Sequence, residues 1–258
     1  MGQNHDGKNI AVVLAAGTGS RMHAGIPKQF MMLAGHPLIY YALKTMEVSE
    51  VIDECILVTG EDDIERMQTE IVGKYGFHKV KAVISGGKER CYSVANAMRW
   101  ISEHGRETKG KVQADGCDYL FIHDGARPFV TEEILGKTYC AAKESGACVA
   151  AMPSKDTVKL ADQQGYAMHT PDRNLVWMIQ TPQVFEKDLI INAYASFERD
   201  MKEKQNESER VPVTDDASVV ERYTDVKVKL VEASYSNIKI TTPEDLLYAE
   251  MRLGVNNQ

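Results

Sequence analysis

Residues 11–30 read AVVLAAGTGSRMHAGIPKQF and join a buried strand to a loop of small residues. The apolar run that opens the stretch has the composition of a strand covered on both faces. Gly17 and Gly19 then open a loop that carries two cations, Arg21 and Lys28. Glycines after a strand let backbone N–H groups approach an anion closely. The stretch is therefore typical either of a polyphosphate-binding loop or of an ordinary glycine turn before a helix.

This loop matches neither of the two best-known phosphate motifs. No Gly-Lys-Ser/Thr follows it, and Met22 stands where the third glycine of the dinucleotide fingerprint belongs. A Walker loop and a dinucleotide loop are thereby excluded.

The composition indicates a globular protein. Its 258 residues, 43% hydrophobic and 26% charged, suit one large α/β domain or one domain with an insertion. The net charge of −7 argues against nucleic acid as a partner. Neither a transmembrane stretch nor a signal peptide is evident, so we expect no membrane partner. The five cysteines form no CxxC motif and predict reduced thiols in a cytoplasmic protein.

Strand-like and helix-like segments alternate over the first 150 residues. This alternation predicts an α/β fold with a mostly parallel, Rossmann-like sheet and helices on both faces. Ligands of such sheets bind beyond the carboxyl ends of the strands. In this sequence those ends carry AAGTGSRM, SGGKER and HDGARP, so we expect the three segments to converge on one cleft.

The pattern changes after Pro153. Period-two alternation around QQG predicts a protruding β-hairpin, the β-arm, at about residues 154–180 of a single domain spanning 1–258. IQTPQVF returns to the body, and a helix follows from about Glu186. DVKVKLVEA and NIKIT are predicted as strands, the charged segment 201–213 as a surface insertion, and TTPEDLLYAEMRL as a helix capped by Thr242.

HDGARP and SGGKER have the residue types of a site. Asp124 at a strand end, with Arg127 three residues later, offers a carboxylate for Mg²⁺ and a clamp for an anion, or else an ion pair that stabilises a turn. His123 is interpreted as structural, because no serine or cysteine motif accompanies it. The glycines of SGGKER indicate a turn, or a surface for close approach of a base or ribose.

The order and spacing of seven motifs carry a resemblance over about residues 10–253. VVLAAGTGSRM…PKQF, GGKERCYSV, HDGARPF, DTVK, TPDRNLVWMIQTPQVF, TDDAS and NIKITTPEDL together resemble the 2-C-methyl-D-erythritol 4-phosphate cytidylyltransferase family of the non-mevalonate isoprenoid pathway. The resemblance implies a nucleotidyltransferase α/β fold. It also implies that CTP and methylerythritol phosphate react to give a CDP-alcohol and pyrophosphate in the cytoplasm. Mg²⁺ is the implied cofactor, and a homodimer with shared active sites exchanges the β-arms.

The resemblance also implies roles for particular residues. Arg21, Lys28 and Lys239 would be the catalytic cations. The nucleotide would be bound by Ala15, Ala16, Gly17, Gly19, Arg21, Lys28, Gly86, Gly87, Ser93, Asp124 and Lys239. The alcohol phosphate would be bound by Asp124, Arg127, Thr157, Arg173, Thr214 and Asp215, with Thr157 and Arg173 reaching in from the partner's arm. Asp124 would lie beside Mg²⁺.

Two alternatives stay open. Ribitol-5-phosphate cytidylyltransferases share most of these motifs, but the seven-residue step from Arg21 to Lys28, the DTVK element and Trp177 favour methylerythritol phosphate. A non-catalytic nucleotide-binding regulator predicts the loss of a key charge, whereas Arg21, Lys28, Asp124 and Lys239 are all present. Gly125 departs from the alanine common in the family.

Overall fold

A seven-stranded sheet forms the centre of the computed structural model, which describes residues 8–17, 25–104, 119–203 and 213–254. The strands of this sheet are β1 (Asn9–Ala15), β4 (Glu54–Thr59), β5 (Val80–Ser85), β6 (Tyr119–Asp124), β7 (Ala147–Pro153), β10 (Trp177–Glu186) and β11 (Lys229–Glu232). Their order is β11-β7-β10-β6-β1-β4-β5, and β10 alone runs antiparallel to its neighbours. The prediction of a mostly parallel sheet is confirmed.

Helices cover both faces of this sheet, as predicted. They are α1 (Leu38–Val48), α2 (Ile64–Arg66) with the π-helix Met67–Gly73, α3 (Arg90–His104), α4 (Glu132–Ser145), α5 (Lys187–Glu203), α6 (Asp216–Tyr223) and α7 (Pro243–Arg252). Alternate residues of β1 face opposite cores: Val12 packs with residues of α3, α5 and α6, and Val13 with residues of α1 and α4. None of the helices in the described ranges is long and apolar enough to span a membrane.

The predicted hairpin after Pro153 is present. It consists of β8 (Leu160–Ala161) and β9 (Ala167–His169), which pair antiparallel around the turn at Gly165. Residues 177–180, which the prediction included in the arm, already belong to β10, and residues 177–179 pair with β7. The arm in the structure is therefore residues 154–176. A separate short hairpin, β2 (Met32–Leu33) and β3 (His36–Pro37), precedes α1.

The prediction of a strand at NIKIT is wrong. Residues 237–241, which we call the strap, have no strand partner among the described residues, although Ile240 is buried as the alternating pattern requires. The polar groups of the strap bond to loops and side chains instead: the Ile240 amide donates to the Ala126 carbonyl over 2.8 Å. The predicted cap of the following helix is confirmed, because Thr242 and Asp245 form a capping box at the start of α7. Of the charged segment 201–213, residues 204–212 lie outside the described residues.

Candidate active site

The carboxyl ends of β1, β5 and β6 border one cavity, as the sequence predicted. This first cavity is lined by Leu14, Ala15, Ala16, Gly17, Lys28, Gln29, Gly87, Lys88, Glu89, Arg90, Ser93, Asp124, Gly125, Ala126 and Lys239. Eight residues assigned to the nucleotide are in that set, and Gly86 adjoins it. Gly19 and Arg21 lie outside the described residues, so their assignment stays a prediction.

Glycine is required at the end of β5. A Cβ at Gly86 would lie 2.5 Å from the Ala16 Cβ and 2.8 Å from the Ser93 Oγ, both too short for a real contact. The Gly87 amide donates to the Ser93 Oγ over 3.0 Å, which ties the loop to the start of α3. The two glycine loops are thus packed together, and a side chain at Gly86 would push them apart.

Asp124 lies among three cations at the end of β6. Its Oδ2 is 2.9 Å from the Lys239 Nζ and 3.7 Å from the Arg127 Nε, and its Oδ1 is 3.4 Å from the Arg90 Nε. Burial opposes ionisation of this carboxyl, but Arg90, Lys239 and Arg127 outweigh it and hold the pKa of Asp124 well below its usual range. Asp124 is therefore a carboxylate at neutral pH, surrounded by an excess of positive charge.

Arg90 is the cation that the sequence did not assign. Its Nη1 and Nη2 bond the two carboxylate oxygens of Asp216 over 2.9 and 2.6 Å, and the Tyr194 hydroxyl donates to the same carboxylate. Asp216 is completely buried. Burial lowers the pKa of Arg90, but the two carboxylates, Asp216 and Asp124, raise it further, so the guanidinium stays charged. Both residues stand in quoted motifs, GGKER and TDDAS, but no local pattern shows that they pair across 126 positions.

A second cavity meets the first at the same charges. It is lined by Arg90, Asp124, Arg127, Val149, Ile179, Gln180, Thr181, Gln183, Thr214, Asp215, Ala217, Ser218, Glu221, Val228, Leu230 and Lys239. Arg90, Asp124 and Lys239 border both cavities, and we call these three residues the junction. Arg127, Thr214 and Asp215, assigned to the alcohol phosphate, line this second cavity. The structure thus provides two adjoining compartments with charge between them.

Asp215 and Gln183 hold α6 against the second cavity. The Asp215 side chain caps α6 by accepting from the Ser218 amide, and it also accepts from the Gln183 Nε2 over 3.0 Å. The Gln183 Oε1 in turn accepts from the amides of Asp216 and Ala217. The carboxylate of Asp215 is therefore engaged in holding the helix that presents Asp216 to Arg90.

The strap brings Lys239 to the junction from the far end of the chain. Asn237 is fully buried, and its Nδ2 donates to the Gln180 Oε1 and the Thr181 carbonyl. Its own carbonyl accepts from the Arg127 Nη1 over 2.7 Å. The Ile240 carbonyl accepts from the Lys28 Nζ over 3.4 Å. The strap therefore contacts Lys28 and Arg127 as well as carrying Lys239.

His123 has the environment of a structural residue, in agreement with its interpretation from the sequence. Its Nε2 lies 3.2 Å from the Arg127 carbonyl, which can only accept, so the Nε2 carries the proton. The Thr181 hydroxyl then donates to the Nδ1 over 3.0 Å. Complete burial lowers the pKa of His123 to about 4. The ring is neutral and already uses both nitrogens, so it is no general base.

Thr157 and Arg173 lie on the arm and line neither cavity of this chain. Both are exposed, and Arg173 begins the short 3₁₀-helix Arg173–Leu175. Their assigned contact with a partner's site stays a prediction.

Asp124 also offers the carboxylate expected for Mg²⁺. Among the described residues no three His, Cys, Asp or Glu side chains group as a metal site. A lone carboxylate between two cavities nevertheless suits Mg²⁺, which commonly takes one or two carboxylates and completes its shell with substrate phosphates and water. The residues present therefore fit a metal that arrives together with a nucleotide.

Comparison with known proteins adds the family. A family model described as 2-C-methyl-D-erythritol 4-phosphate cytidylyltransferase matches residues 9–255. A relative of that name from Lachnospira eligens is 49% identical over 238 residues, which are 92% of this chain and 96% of the relative. Another, from Alkaliphilus oremlandii, is 39% identical over 243 residues, which are 94% of each chain. The crystal structure of 4-diphosphocytidyl-2C-methyl-D-erythritol synthase from Anaerococcus prevotii superposes with a TM-score of 0.76 at 35% identity, covering 97% of this chain and 98% of that one. The chain belongs to the 2-C-methyl-D-erythritol 4-phosphate cytidylyltransferase family.

Proposed function

We propose that the chain transfers the cytidylyl group of CTP to 2-C-methyl-D-erythritol 4-phosphate, giving 4-diphosphocytidyl-2-C-methyl-D-erythritol and pyrophosphate. The observation that carries this proposal is the pair of cavities joined at Arg90, Asp124 and Lys239. Two anionic substrates must meet in this reaction, and the junction supplies two cations against one carboxylate where the compartments adjoin. The family membership suggests the substrates, and the two adjoining cavities support the proposal that each binds in its own compartment.

The chemistry needs charge stabilisation rather than a base. A phosphate monoester is mostly dianionic at neutral pH, since its second pKa is about 6. One of its oxygens attacks the α-phosphorus of CTP, and the bond from that phosphorus to the bridging oxygen of the leaving pyrophosphate breaks. Preorganised cations stabilise the charge that develops on both groups. The neutral, fully bonded His123 agrees with a mechanism in which no proton is removed from the nucleophile.

On the nucleotide side we assign Ala15, Ala16 and Gly17 to the triphosphate, together with Lys28. Gly86, Gly87 and Ser93 form the opposite wall, where backbone groups can approach the base and ribose. Arg21 and Gly19 complete this assignment as proposals from the family motif.

On the alcohol side the contacts refine the assigned roles. Arg127 is 9% exposed and donates to the carbonyls of Asn237 and Ile179, so it supports the junction more than it presents a free guanidinium. Lys239 borders both cavities, and because the Arg90 nitrogens already bond Asp216 and Asp124, the more exposed Lys239 ammonium is better placed to contact a phosphate. Thr214 and Asp215 border the second cavity and are assigned to the alcohol.

Mg²⁺ would be held by Asp124 and by the phosphates of CTP, and it would supply a Lewis acid that neutralises phosphate charge. The chain's own contribution is to keep Asp124 ionised. Arg90 and Lys239 ensure this, because they hold the pKa of Asp124 below its usual range. Asp124 can therefore accept a cation throughout the physiological pH range.

We further propose a homodimer in which Thr157 and Arg173 of each arm enter the partner's second cavity. The arm exposes several large apolar side chains, including Leu160, Tyr166, Met168 and Leu175. Exposed apolar patches mark interaction surfaces, and a second copy would cover this one. Light scattering of the purified chain tests the stoichiometry, and a monomer at micromolar concentration would contradict it. The cytoplasmic location stays a prediction.

The reaction itself is tested by incubating the purified chain with CTP, Mg²⁺ and either methylerythritol phosphate or ribitol 5-phosphate. Pyrophosphate release and the mass of the product are measured. We expect turnover with methylerythritol phosphate. Turnover with ribitol phosphate alone would establish the alternative substrate, and CTP binding without turnover of either alcohol would support a non-catalytic regulator.

A further inference from the structure

We propose that Asn237 is a positioning residue, which holds Lys239 at the junction through the strap. This inference rests on the proposed function, because it concerns the cation that stabilises charge in that reaction. It extends the function to a residue that contacts neither cavity, since Asn237 lines neither the first nor the second.

The backbone of the strap is fixed by two attachments. Strand ladders normally fix the direction of each side chain, but residues 237–240 join no ladder within the part of the chain that the structure describes. The strap is instead attached at its two ends: by Asn237 to β10 and by the Ile240 amide to the Ala126 carbonyl. Lys239 lies between these two attachments, so its backbone direction depends on both of them.

The Asn237 attachment has a fixed polarity, because its two partners are acceptors. The Gln180 Nε2 donates to the Ser234 carbonyl, which leaves the Gln180 Oε1 to face Asn237. The other partner is the Thr181 carbonyl. Both partners therefore accept, and the site requires an –NH₂ group. Aspartate has the same shape and would place a carboxylate oxygen against two carbonyl oxygens.

The side chain of Lys239 is less enclosed than that of Arg127. It is 36% exposed, whereas the Arg127 side chain is 11% exposed and donates to two carbonyls. Burial and the Ile179 carbonyl therefore hold Arg127 in addition to the strap, whereas Lys239 depends on the strap and on its contact with Asp124. A displaced strap would move Lys239 away from the junction with little change at Arg90, which Asp216 holds independently.

The test is a double-mutant cycle with Asn237→Asp and Lys239→Ala. Steady-state kcat and KM for both substrates are measured, with CTP affinity from calorimetry as a second readout. In the wild-type background we expect Asn237→Asp to lower kcat about 30-fold. In the Lys239→Ala background the same substitution should lower kcat less than about threefold. Such a result means that the two residues act as one unit. Independent, multiplicative losses would overturn the proposal.

Asn9→Asp is the matched control. Asn9 is also buried and donates from its Nδ2 to a carbonyl, that of Val51, but it begins β1 at the opposite end of the sheet. It should cost comparable stability and leave kcat within about twofold, as expected for a change remote from the site. A fall in kcat for Asn9→Asp equal to that for Asn237→Asp would show a general effect of destabilisation and would overturn the proposal.

The melting curve and CTP binding of Asn237→Asp show whether this variant folds. If it does not fold, Asn237→Ser is the second variant. A serine keeps a donor, and the same cycle with Lys239→Ala decides the proposal. The wild-type chain separates the two hypotheses. If it forms no product, the proposed function fails and the inference with it; if it turns over and the losses multiply, only the inference fails.

Discussion

The junction and the arm are both assigned to the active site, but the chain holds them in opposite ways. At the junction, Arg90 bonds both oxygens of Asp216, which is completely buried. In the arm, β8 and β9 form one short hairpin, and Tyr166 and Met168 are 72% and 71% exposed. A single chain thus preorganises the charges at the junction, whereas the arm has little core of its own. Four substitutions in or beside these regions, and one change of pH, test this difference.

Asp216→Ala should have the largest effect on stability. It leaves the partly buried Arg90 without its bidentate partner and removes the acceptor of the Tyr194 hydroxyl. Breaking a buried ion pair by deleting one partner costs about 3–5 kcal/mol. Urea unfolding measures this loss, with the exposed Asp225→Ala as the control, expected within about 0.5 kcal/mol. Equal stabilities for the two variants would show that the junction is not held as described.

Lys28→Ala should have the largest effect on turnover. Lys28 lines the first cavity, and removal of one preorganised charge-stabilising group typically lowers kcat by about 10²–10³-fold. The exposed Lys81→Ala is the control and should keep normal turnover. The melting temperature of Lys28→Ala should match that of the wild type. Near-normal kcat for Lys28→Ala would refute its role.

Burial of neutral His123 should make the free energy of unfolding depend on pH. Its pKa falls from 6.5 to about 4 on folding, so the unfolded chain takes up this proton first as the pH is lowered. The contribution of neutral His123 to the free energy of unfolding is complete above pH 6.5 and is lost as the pH falls toward 4. At pH 4.5 the free energy of unfolding should have fallen by about 2–3 kcal/mol. Urea unfolding between about pH 7 and 4.5 measures the loss. A His123→Gln variant should show a shallower slope, and an identical slope would contradict this account.

Arg173→Ala should act on the alcohol phosphate. Loss of one phosphate contact should raise KM for that substrate about tenfold and leave CTP binding unchanged. If the arms exchange, mixing Lys28→Ala with Arg173→Ala chains should restore activity, because one of the two shared sites then contains both residues. The absence of restoration at every mixing ratio would contradict the exchange of arms.

Met168→Ser should have the smallest effect on the free energy of unfolding of an isolated chain. Met168 is 71% exposed, so the change should stay within about 0.5 kcal/mol. In a dimer that covers the arm, the same variant should weaken association, which sedimentation at several concentrations can measure. A large loss of stability in the monomer would show that the arm packs on its own chain.

Most elements of the fold could be predicted because their signals are local. The apolar run of β1, the capping residues of α7 and the turn at Gly165 each act within a few residues. The wrong prediction at the strap has a physical reason: Ile238 and Ile240 alternate as in a strand because both pack in the apolar cluster that contains Ala249 of α7. Alternating burial predicts only that a segment is extended and half-covered, and a ladder also requires a free neighbouring strand.

The site divides in the same way. Local sequence patterns were enough to predict that glycine-rich and charged loops end β1, β5 and β6, since periodicity places them at the carboxyl edge of a parallel sheet. The pairing of Arg90 with Asp216 and the anchoring of the strap by Asn237 became visible only in the folded chain. Each of these contacts joins residues more than 50 positions apart. Their partners are chosen by packing across the sheet and by the need to satisfy buried polar groups, which no local pattern encodes.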